Sequence, residues 1–128
     1  MDKKTVEAII TKFTLNAVAY NPKYIKQQLV GDSVITKALL TNPQTAKQYI
    51  NVFYTIIKHI MEGFGFKYNI MPISRGIILK ITLTDFLPYI VINNLVFYAK
   101  LLNFTYDLET QQNANGVYIN FKINEQIE

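Results

Sequence analysis

The chain contains no cysteine. Disulfides, thiolate zinc sites and cysteine nucleophiles are therefore excluded. It has one histidine, His59, one arginine, Arg75, and two serines, Ser33 and Ser74. Neither serine sits in Gly-x-Ser-x-Gly, the turn that presents a nucleophilic hydroxyl. Glycine is sparse, and no phosphate-cradling loop is present. Gly63-Phe64-Gly65 lacks the third glycine of a dinucleotide fingerprint and follows a helical pattern where that fingerprint follows a strand. His59 stands three residues before Glu62, so both could share one helix turn. Completing a metal site would need further carboxylates, and charged residues are only 17% of the chain. The sequence reads as non-enzymatic, with no cofactor and no metal. The start, MDKKTVEAII, has neither a long apolar run nor a small-residue cleavage site, which leads us to expect a cytoplasmic, intracellular protein.

Apolar residues are abundant. Half of the 128 residues are hydrophobic, with nine tyrosines and eight phenylalanines. That suits one packed domain. The net charge of +4 is uneven. Residues 1–100 hold twelve basic and five acidic side chains, a balance of +7, while residues 101–128 stand at −3. A basic body of this kind attracts nucleic acid or an anionic surface.

Periodicity divides the chain into small helices over 1–41, a helix and hairpin over 42–84, a second helix and hairpin over 85–124, and a frayed tail over 125–128. Helical spacing marks residues 3–19, with Val6, Ile9, Ile10, Phe13 and Ala17 on one side. Shorter helices follow over 23–30 and from Asp32 or Ser33 to about Leu40. Asn21-Pro22 and Asn42-Pro43 open two similar nine-residue stretches, each read as a helix start. The helix from Pro43 to about Glu62 has an apolar stripe through Ala46, Tyr49, Ile50, Phe53, Ile56, Ile57, Ile60 and Phe64, and Gly63 and Gly65 end it. The period then becomes two. Phe66, Tyr68 and Ile70 point one way and Lys67, Asn69 and Met71 the other; a tip over Pro72–Gly76 leads to a second strand from Ile77.

A helix over Phe86–Leu102 is apolar almost all round. Asn93, Asn94 and Lys100 interrupt it, which argues against a membrane span. A second hairpin follows, with Phe104, Tyr106 and Leu108 on one face and Val117, Ile119, Phe121 and Ile123 answering them. Residues 45–83 and 86–123 share one plan, in which Gly76 matches Gly116, Phe66 matches Phe104 and Tyr68 matches Tyr106. The expected fold is α+β: N-terminal helices, then an αββ–αββ arrangement giving a four-stranded antiparallel sheet with helices on one face.

The other face is the candidate site. It would carry Lys67, Asn69, Lys80, Tyr118 and Lys122, with Arg75 at a hairpin tip. Lysines neutralise phosphates, an aromatic ring offers a stacking platform, and arginine grips a phosphate bidentately. This points to single-stranded nucleic acid, DNA or RNA, as partner. Asp107 and Glu109 on the second hairpin make the basic surface lopsided. Such a face also fits the ordinary polar exterior of an antiparallel sheet. A different reading is an assembly subunit, a homodimer formed through the apolar helix with Tyr89, Asn93, Asn94, Phe97 and Tyr98 at the interface.

Overall fold

A computed structural model describes residues 2–6, 8, 32–82, 89–110 and 116–128. The helices expected over 3–19 and 23–30 lie largely outside these residues. Of them, a helical turn at 3–6 and the helical residue Ala8 are described; the Thr5 amide donates to Asp2 Oδ1 (2.8 Å) and Val6 is fully buried. The described elements are α1 (Asp32–Leu40), α2 (Ala46–Phe64), β1 (Lys67–Ile73), β2 (Gly76–Thr82), α3 (Tyr89–Leu101), β3 (Phe104–Thr110) and β4 (Gly116–Ile123). They form the expected α+β fold, with one antiparallel sheet in the order β1-β2-β4-β3. Among the described residues, no helix is long and apolar enough to cross a membrane.

Helix α2 starts later than its Asn-Pro signal suggests. Thr45 is the N-cap: its hydroxyl accepts from the Gln48 amide (3.3 Å), and the Gln48 side chain accepts from the Thr45 amide (3.2 Å). This reciprocal box satisfies donors that a proline cannot. Asn42 instead takes a left-handed turn (φ 55°) outside the helix. At the other end Gly65, not Gly63, stops the helix, at φ 77° with its amide on the Met61 carbonyl (3.0 Å). Gly63 is a buried helical residue.

The two hairpins are joined through their second strands. In the β2–β4 ladder Leu79 faces Ile119, and Gly76 and Gly116 stand at opposite ends. Residues 40 apart are thus equivalent about an internal two-fold passing through the Leu79–Ile119 pair. For the first strands and the helices the separation is 38. Gly65 corresponds to Asn103, which adopts the same left-handed conformation (φ 65°) between α3 and β3. Asparagine is the side chain that tolerates this backbone best after glycine. Buried Phe53, Ile56, Ile57, Ile60, Met61 and Phe64 correspond to Val91, Asn94, Leu95, Tyr98, Ala99 and Leu102, all buried.

That correspondence corrects the interface expectation. Asn94 and Tyr98 are interior residues of this chain, since they take the places of Ile56 and Ile60 against the sheet. Asn93 and Phe97 are exposed on α3, and the Tyr89 side chain lies outside the described residues.

Helix α2 packs on β1, β2 and β4 and also on α1, whereas α3 packs on β3 and α2. Phe53 forms the centre of the core. Its ring lies 4.8 Å from those of Phe104 and Phe121, edge-on to the latter. Such pairs add about 0.5–1.5 kcal/mol each beyond the area they bury.

Two further expectations change. The first hairpin has no long tip: Ile73 pairs with Gly76, leaving only Ser74 and Arg75 in the turn. Pro72 lies inside β1, where an edge strand tolerates a missing N–H. The tail is not frayed. The Asn124 amide donates to the Asn103 carbonyl (2.9 Å), Ile127 packs against the core, and the Glu128 carbonyl accepts from the Ala46 amide at the start of α2 (2.6 Å).

The equivalent glycines face different constraints. A Cβ on Gly76 would lie 2.0 Å from the Phe121 carbonyl oxygen, whereas one on Gly116 would lie 3.3 Å from that of Ile81. Gly76→Ala is expected to destabilise by about 3 kcal/mol or more. Gly116→Ala should change stability by less than about 1 kcal/mol. Urea unfolding of both variants checks the contrast, and equal effects would refute it.

Tyr68 ties β1 to the end of α2 by donating to Glu62 Oε1 (3.0 Å). Burial, then this hydrogen bond to a carboxylate, pushes its hydroxyl from the ordinary 10 up to about 12. A raised folded value means that the contribution is intact below pH 10 and is lost as pH climbs towards 12. Ultraviolet titration should show part of the tyrosine absorbance rising late, and Tyr68→Phe should reduce that late part. A wild-type curve with every tyrosine complete near pH 10 would contradict the contact.

Candidate nucleic-acid interface

Strand alternation and ladder register build this surface. The sheet face away from the helices is arranged in rows across the strands. One row is Asn69–Lys80–Tyr118–Glu109, and the next is Met71–Ile78–Asn120–Asp107. Lys67 stands beyond the first row, opposite Thr82. Lys122 stands beyond the second, between Gly76 and Thr105. Lys67, Asn69 and Lys122 are exposed, and Lys80, Tyr118 and Asn120 are half-buried.

The strand order places β1 and β3 at opposite edges. Asp107 and Glu109 therefore lie two strands from Lys80, about 10 Å at the usual strand spacing. Neither acid sits directly opposite a lysine: Asp107 faces Asn120 and Glu109 faces Tyr118. Lys67 and Lys80 thus stand apart from the acidic β3 edge, whereas Lys122 on β4 is the diagonal neighbour of Asp107.

Lys80 and Tyr118 are coupled. The ammonium lies 5.6 Å from the ring centroid. At an exposed site such a contact is worth about 0.5–1 kcal/mol. A base stacked on the same ring gains about 1–3 kcal/mol. The lysine contact is thus weaker than stacking of a base on the same ring would be.

Arg75 behaves differently from the lysines. Its Nη2 donates to the carbonyls of Asn124 (2.9 Å) and Ile127 (2.8 Å), and its own carbonyl accepts from the Ile123 amide (2.9 Å). The guanidinium that the sequence assigned to a ligand thus also fastens the C-terminal tail. Two of its five N–H donors are used in this way. Beside it lies a groove of about 770 Å³, lined by Ile73–Arg75, Thr105 and residues 122–126. The wall formed by Asn124, Glu125 and Gln126 was missed in the sequence because that stretch has no strand or helix periodicity.

His59 is buried in α2, and Glu62, three residues on, is exposed and engaged by Tyr68. Among the described residues no three histidine, cysteine or acidic side chains cluster as metal ligands would.

A comparison with protein-family models finds no match, and neither does a comparison with curated proteins.

Proposed function

We propose that this is a small, non-enzymatic protein that binds single-stranded nucleic acid on the open face of its sheet. The observation that carries the reading is the register. It brings Lys67, Lys80 and Lys122 onto the face that none of the described helices covers, with Tyr118 beside Lys80, and sets the acids two strands away from Lys80 though next to Tyr118 and Lys122. The lysines run diagonally from the start of β1 to the end of β4. A strand following them meets a cation at each end and in its first half, and a ring near the middle. Asn69 and Asn120 offer amides to base edges. Sequence selectivity is expected to be slight, since stacking and phosphate neutralisation accept every base.

The test is a salt-titrated binding assay with a single-stranded oligonucleotide. Replacing Lys67, Lys80 and Lys122 together by Ala should weaken binding at least about tenfold at low salt. It should also flatten the log–log salt slope by about 2, the value for three phosphate contacts on a single strand. An unchanged slope would remove the basis of the proposal.

A second reading, assembly with another copy of the chain, draws on the opposite side of the sheet. Tyr106 and Leu108 lie on the helix-bearing face of β3 yet are 42% and 50% exposed, and Phe97 on α3 is 38% exposed. Exposed apolar side chains of this kind mark contact surfaces. Sedimentation at micromolar concentration should show a dimer that Leu108→Ser shifts to monomer. A wild-type monomer would eliminate this reading and leave the first intact.

A further inference from the structure

The diagonal of lysines ends in the groove beside the first hairpin. Two cations line this groove, Arg75 and Lys122, together with the Ser74 side chain and one carboxylate, Glu125. Arg75 is already oriented: the Asn124 and Ile127 carbonyls hold Nη2, so three donors on Nη1 and Nε remain. A guanidinium fixed in this way loses little freedom when an oxyanion arrives. Lys122 is exposed at the inner lip, where the groove meets the open face.

Charge decides which phosphate fits. Glu125 offsets about one of the two cations. A backbone diester, carrying a single charge, then gains little. A phosphomonoester carries about −1.5 to −2 at neutral pH and three acceptor oxygens, enough to engage both cations. The groove also lies beyond the last pair of the β1–β2 ladder, with the tail as its outer wall. Its volume, about 770 Å³, falls among pockets that hold nucleotide-sized ligands.

We propose that this groove seats the terminal phosphate of a nucleic-acid strand. The protein then prefers a phosphorylated end over an internal stretch. The inference rests on the open-face reading, because the lysines supply the path by which a strand reaches the groove.

Three forms of one single-stranded hexanucleotide test it: 5′-phosphorylated, 3′-phosphorylated and hydroxyl at both ends. One phosphorylated form should bind about tenfold more tightly than the hydroxyl form. Lys122→Gln should erase that preference without touching the tail, and Arg75→Lys, which keeps the charge but not the fork, should reduce it. Lys67→Gln should weaken all three forms alike. If the three wild-type affinities are equal and remain sensitive to Lys67, the groove inference is overturned and the open-face reading stands. If no hexanucleotide binds, both readings are overturned, even where a nucleoside monophosphate shifts the Ser74 and Lys122 amide resonances. No response to either probe overturns both.

Discussion

The pairing of β2 with β4 is the constraint on which the rest of the molecule depends. Each αββ unit alone would be a hairpin with one helix, too little sheet to bury that helix's apolar side. Joining the second strands gives four strands and a shared core. Leu79 meets Ile119, its own counterpart, and the other ladder pairs follow from that coincidence. Phe53 then reaches from the helix of the first unit to Phe104 and Phe121 of the second. The same joint sends β1 and β3 to opposite edges, which separates the lysines of one hairpin from the acids of the other.

Much of this was legible in the residues. Alternation in 66–70 and 117–123 identified both strand faces, and the match of Gly76 with Gly116 showed the repeated plan, though not the two-fold that the β2–β4 ladder makes of it. The helix of the second unit was misread for a physical reason. Apolar side chains surround it, so periodicity could not select a face, and Asn94 looked like an interruption when it is the counterpart of buried Ile56. Carrying the spacing of 38 back from the strands through the helix would have exposed this. The start of α2 was misplaced because Asn42-Pro43 and Thr45-x-x-Gln48 are competing signals. The one that satisfies more amide donors prevails.

The candidate site divides along the same line. Lys67, Asn69, Lys80, Tyr118 and Lys122 are consequences of strand alternation and could be placed from sequence. The role of Arg75 could not. Its acceptors are carbonyls 49 and 52 residues away, and backbone carbonyls have no signature in a sequence. The near overlap at Gly76 is similar in kind, since it depends on how closely another strand's backbone approaches.

The Arg75 clasp has a consequence for the order in which the molecule is made. The first hairpin is translated well before its fastening, because the Ile127 carbonyl emerges 52 residues later. The Ala46 amide likewise waits for Glu128. Until residues 124–128 are made, the Arg75 guanidinium and the Ala46 amide have water in place of these acceptors. Residues 124–128 then supply both acceptor sets, so a stretch synthesised after the second hairpin completes the first.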